Sequence, residues 1–172
     1  MESPPASMAA RSPDRFLSDL HDFIDHGDLN NEKEVAETFR LRLTVHSMNA
    51  VLNPRTNILE GTSSAFQATP LSTETLVNAD EPKTNYGKFK SNDSSFEKSS
   101  LSEGINEAEI CIKKERFVST WGVGEPQFNP SFRGQLTYNF LGRNKIEMYL
   151  LFTKTGCLHD LTLYQNRRND SK

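Results

Sequence analysis

Apolar and polar residues are patterned in three different ways along this chain. From Pro13 to His26 the apolar positions are Phe16, Leu17, Leu20, Phe23 and Ile24. That spacing, i, i+1, i+4, i+7 and i+8, places one stripe along one side of a helix. Ser12-Pro13 supplies a hydroxyl cap and a proline at the first helical position, and Gly27 ends the run. Asn31-x-x-Glu34 resembles a capping box and predicts a second short helix with Val35 and Phe39 inward. Leu41, Leu43 and Val45 then alternate with Arg42, Thr44 and His46, the period of a short strand.

The last third of the chain returns to alternation. Ala108, Ile110 and Ile112 alternate with Glu107, Glu109 and Cys111, which predicts a first strand. Phe117, Val118 and Trp121 follow at helical spacing, and Gly122, Gly124 and Pro126 stop that short helix with Trp121 turned inward as a core anchor. Leu136, Tyr138 and Phe140 then alternate with Gln135, Thr137 and Asn139. A turn at Leu141-Gly142-Arg143-Asn144 leads to Ile146, Met148 and Leu150 on one face, with Glu147, Tyr149 and Leu151 on the other. After Thr155-Gly156, Leu161 and Leu163 point one way, with Leu158, Thr162 and Tyr164 opposite. Short connections make these strands an antiparallel meander.

Between these ordered ends, residues 47–102 are rich in Ser, Thr, Asn, Lys and Pro. Ile58, Phe66, Leu76, Tyr86, Phe89 and Phe96 are spaced irregularly there. The stretch reads as a polar, partly mobile insert, or as one with short strands near Gly87–Lys90 and Ser95–Lys98. The expected fold is therefore α+β: N-terminal amphipathic helices packed on an antiparallel sheet of about four strands, with a long polar middle segment. One domain is expected, divided into a disordered lead (1–11), a helical unit (12–46), the insert (47–102), a strand-helix-three-strand unit (103–166) and a disordered tail (167–172).

The C-terminal third carries a resemblance. A helix ending in Gly122 to Pro126, the aromatic strand Gln135–Phe140, and a hairpin through Leu151-Phe152-Thr153-Lys154-Thr155-Gly156-Cys157-Leu158 are similar to the BamE-like envelope lipoproteins and β-lactamase-inhibitor-protein domains. The resemblance implies a small helix-plus-sheet fold and a non-enzymatic module that offers a sheet face or hairpin to another protein. It carries over no catalytic residue, and the lipobox cysteine of the lipoproteins is missing from the start of this chain.

Composition bears on function mainly by exclusion. The apolar fraction of 35% is below the roughly 45% usual for an ordered domain, and the deficit lies in the middle segment. A net charge of −3 with mixed signs gives no basic stripe, so nucleic acid is not an expected partner. No apolar run is long enough to span a bilayer. Without an apolar leader the chain reads as cytoplasmic as it stands, or as periplasmic or secreted if a signal peptide has been removed.

Phosphate loops, nucleophile elbows and His-Glu-x-x-His are not found, and no cofactor is expected. His21 and His26 are five residues apart, about 140° round a helix, so with Asp22 and Asp25 they read as a solvated face and not as a metal site. Cys157 and His159 share a strand face but have no orienting acid, so no catalytic residue is assigned. Cys111 and Cys157 remain open between a disulfide and two small buried apolar residues.

The mixed face of the meander is the expected contact surface, with Thr137, Asn139, Glu147, Tyr149 and Tyr164 as candidate partner-binding residues. A non-enzymatic protein-binding or inhibitory module is thus the leading reading. The alternative is a small-ligand binder or pocket enzyme, since the N-terminal amphipathic helix, His26-Gly27-Asp28 and the C-terminal strands also resemble the nuclear-transport-factor-2-like (SnoaL-like) fold.

Overall fold

The computed structural model describes residues 8–77, 84–123, 135–141 and 144–168, with the backbone alone described for 139–141. Two helices come first, α1 (Pro13–His26) and α2 (Glu32–Thr38). Four strands follow: β1 (Leu41–Leu52), β2 (Leu59–Pro70), β3 (Asn85–Ser91) and β4 (Phe96–Gly104). Helix α3 (Lys114–Trp121) leads to β5 (Gln135–Leu141), β6 (Ile146–Phe152) and β7 (Leu158–Arg168). All seven strands join one antiparallel sheet in the order β1-β2-β3-β4-β7-β6-β5.

This corrects the expected fold in two ways. Among the described residues the sheet has seven strands instead of about four, and residues 47–102 supply half of β1, all of β2 and β3 and most of β4. Among the described residues the protein is sheet-rich, with three short helices, and not a helical unit laid on a small sheet. Secondly, the strand expected through Ala108–Ile112 does not form. Residues 107–109 make a turn, and Ile110 and Ile112 are buried in an extended strap without ladder partners of their own.

β2 and the full extent of β3 and β4 were hidden because each gives the core only one large apolar residue. One inner row crosses the sheet as Phe66, Tyr86, Leu101, Leu163, Met148 and Tyr138 in register. β2 and β3 each give that row one aromatic ring, and β4 gives it Leu101. Many of their remaining positions are Ser, Thr, Lys and Gly, which an antiparallel sheet facing water tolerates. The distal half of the β1–β2 hairpin runs beyond the core, leaving Val45, Met48, Leu52, Ile58 and Leu59 between 40% and 66% exposed.

The helices cover the inner side of the sheet. Phe16, Leu17, Leu20, Phe23 and Ile24 of α1 are all buried, as their spacing predicts. Ser12 accepts a hydrogen bond from the Arg15 amide at 3.2 Å, and Asn31 accepts from the amides of Lys33 and Glu34. At Gly27 the chain passes so close to Phe23 that a Cβ would stand 2.5 Å from its ring. Tyr86 fixes the α1–α2 loop by donating its hydroxyl to the Leu29 carbonyl at 2.6 Å. Trp121 packs against Phe117 and Tyr138 and stacks on His21, 5.7 Å between centroids, so it anchors α3 to both α1 and β5.

Two further ties close the fold. Cys111 and Cys157 form a disulfide that fastens the strap to the start of β7, beside the backbone bond from the Leu158 amide to the Ile112 carbonyl. By loop entropy such a link contributes about 4 kcal/mol. Arg11, in the expected lead, is buried. Its guanidinium donates to both Glu74 oxygens, to Asp19 at 2.8 Å and to the Thr38 carbonyl at 2.9 Å. Residues 8–11 are thereby locked to the exit of β2, with the Met8 amide donating to the Leu71 carbonyl.

Candidate functional site

The register defines the outer side of the sheet. One row runs Thr137, Tyr149, Thr162, Ser102 and Asn85, and the next runs Glu147, Tyr164, Ser100, Gly87 and Ala65. A third holds Asn166, Lys98, Phe89 and Ser63. Strand alternation requires these to share one face, because Leu101, Leu163 and Met148 between them point into the core. The ring and side-chain contacts of the α1–α2 loop and of α3 with the sheet fall on the inner side, through Tyr86, Gln165, Tyr138 and Phe152.

Four of the expected partner-binding residues can be placed in detail. Tyr149 and Tyr164 stand edge to face, 5.5 Å between centroids at 85°. The Tyr149 hydroxyl donates to Glu147 at 3.1 Å, and Tyr164 is 37% exposed. Burial first, and the Glu147 carboxylate second, hold the Tyr149 phenol above its ordinary range. Thr137 lies beside Tyr149 in the same row but is buried, 2% exposed, and its hydroxyl has no hydrogen-bond partner. The Asn139 side chain falls outside the described residues. Thr162 joins the face by sharing a hydrogen bond with Ser102, 3.2 Å apart.

The rest of the face comes from β3 and β4, where the sequence offered only short strands near Gly87–Lys90 and Ser95–Lys98 as one of two readings. Phe89 and Phe96 lie 6.2 Å apart at one end, each half-buried. Together with Gly87, Ala65, Ser100 and Lys98 they line an open cleft of about 510 Å³. Gly87 forms its floor, where an added Cβ would meet nothing nearer than the Ser64 carbonyl at 3.5 Å. The sequence signals for this end were the isolated aromatic positions Phe89 and Phe96 and the short strands offered near Gly87–Lys90 and Ser95–Lys98. Leu158, expected on the outer face, is fully buried instead, because a bulge at His159 shifts the β6–β7 register.

The chemistry-bearing residues weighed from sequence lie elsewhere. Cys157 is tied up in the disulfide, so its sulfur is not a free thiolate. His21 stacks on Trp121 and places Nδ1 3.2 Å from Asp25. The most perturbed carboxyl is Glu103, buried on the inner side of β4. It accepts a 2.7 Å bond from Thr75, while its other oxygen has no partner. Burial, reinforced by Glu74, raises it to about 8 against the opposing pull of Thr75 and Arg11. At neutral pH this group keeps its proton.

No family model, curated protein or solved structure matches this chain. Among the described residues no helix is long and apolar enough to cross a membrane.

Proposed function

We propose that this protein is a non-enzymatic binding module that engages another protein through the outer face of β3, β4, β7 and β6. The observation that supports this reading most directly is the Tyr149–Tyr164 pair, standing on the side of the sheet away from the helices. Tyrosines offer large contact area with little side-chain entropy to lose, and they are enriched where proteins meet. The hydroxyls of Ser100, Ser102 and Thr162 and the Glu147 carboxylate around them supply polar contacts. A pocket protein of the alternative kind needs room between helix and sheet. Here that layer is filled by Phe16, Ile24, Leu101, Met148, Leu150 and Leu163, each at most 1% exposed.

The test is site-specific cross-linking in extract of the native host. A photoreactive phenylalanine in place of Tyr164 should give a discrete protein adduct that excess unmodified protein competes away. The same probe in place of Lys33, on α2, should not. Equal adducts from both positions, or none from position 164, would remove the reading.

A further inference from the structure

Resting on the sheet-face reading, we infer that the end of the face lined by Phe89, Phe96 and Gly87 receives an acidic segment of the partner, carrying an aromatic or branched apolar anchor. Charge and shape both point that way. On this corner the outward-facing cations are Lys98 and, across from Phe96, Arg168. The carboxylates of Glu97 and Asp28 face the other side, where Glu97 lies opposite Lys90 and Arg167 and Asp28 bonds Arg167 and Gln165. Asp93, in the β3–β4 turn, stays a carboxylate that accepts from the hydroxyls of Ser91 and Ser95, one anion against the two outward cations Lys98 and Arg168. In a chain of net charge −3, this is a locally cationic and aromatic corner.

The cleft gives the anchor its place. Gly87 leaves the floor without a side chain between Ala65 and Ser100, and the Phe89 and Phe96 rings make one wall. An apolar side chain laid on that floor would be covered on one flank by the rings, while neighbouring carboxylates would reach Lys98 and Arg168. A single-stranded nucleic acid is the competing anionic ligand with stackable groups. It fits less well, because Phe89 and Phe96 are tilted at 51° to one another and half-buried, presenting no flat platform. Glu147 on the same face would also repel a continuous phosphate backbone.

The experiment uses the full chain and a fluorescein-labelled random copolymer of glutamate and tyrosine, read by fluorescence anisotropy. Expected are saturable binding, weakening of about tenfold on raising salt from about 50 to about 500 mM, and binding about tenfold weaker by polyglutamate without tyrosine. Gly87→Val, which fills the floor at a strand position that accepts a side chain, and the pair Lys98→Glu, Arg168→Glu should each weaken binding at least about tenfold at an unchanged thermal midpoint. Absence of binding, indifference to Gly87→Val, or tighter binding of an oligouridylate each overturns the proposal. If the copolymer fails while the position-164 adduct persists, only the acidic-anchor chemistry falls. If the adduct is also lost, the sheet-face reading falls with it.

Discussion

Tyr164 meets Tyr149 edge to face across the β6–β7 pair, 5.5 Å between ring centroids, with the Tyr149 hydroxyl turned back onto Glu147. The pair is the most prominent aromatic feature of the outer sheet face away from the Phe89–Phe96 corner. Because Tyr164 is 37% exposed, its ring belongs to the surface more than to the core. Tyr164→Ala should therefore cost only the pair energy, about 1 kcal/mol, and move the thermal midpoint by no more than about 4 °C. A cooperative loss of structure on this substitution would assign the ring to the core.

The raised Tyr149 phenol gives a spectroscopic handle. Burial is the larger cause and Glu147 the next, so Glu147→Gln should bring the Tyr149 ionisation down toward its ordinary value without restoring it fully. Ultraviolet titration of the wild type and of this variant measures the difference. No change would mean that the Tyr149–Glu147 contact is not maintained in solution.

Glu103 predicts an unusual direction for pH dependence. Its folded-state value, about 8, lies above the ordinary 4.5, so between these limits the folded protein binds a proton that the unfolded chain has released. Its contribution to stability is fully present below about 4.5 and is lost as pH rises through about 8. Glu103→Gln should flatten that fall, by roughly 1–4 kcal/mol between the two ends, in chemical denaturation across this range. An identical slope in variant and wild type would show that the carboxyl is solvated.

Breaking the Arg11–Glu74 pair should be costly in either half. Arg11→Ala leaves a fully buried carboxylate without its guanidinium, for which a loss of about 3–5 kcal/mol is expected. Replacing both, as Arg11→Met with Glu74→Leu, should recover most of it. Additive losses in the double variant would mean that the two residues act independently.

Reduction of Cys111–Cys157 should lower stability by about 4 kcal/mol, which for a chain of this length is roughly 8–16 °C in thermal midpoint. Amide exchange should rise first across residues 105–113, whose backbone ties to β7 are the bonds at Ile105, Leu158 and the Lys113–Cys157 bridge. An unchanged midpoint would show that burial of Ile110 and Ile112 alone holds the strap.

Helix α1 was legible in detail, because a stripe of five large apolar residues with a Ser-Pro start and a glycine stop has one reading. α2, α3 and the alternation of β5 and β6 were legible for the same reason: local period and local caps agree. Tertiary structure alone decided three things. β2 and the full extent of β3 and β4 exist because Phe66, Tyr86 and Leu101 find partners across the sheet, and one large apolar core residue per strand carries no apolar period of its own. Residues 107–112 alternate like a strand, yet β4 already pairs with β7 along its whole length, so no inner edge remains for them to join. The cleft at Phe89, Phe96 and Gly87 joins three strands, and only the register that brings those strands together creates it.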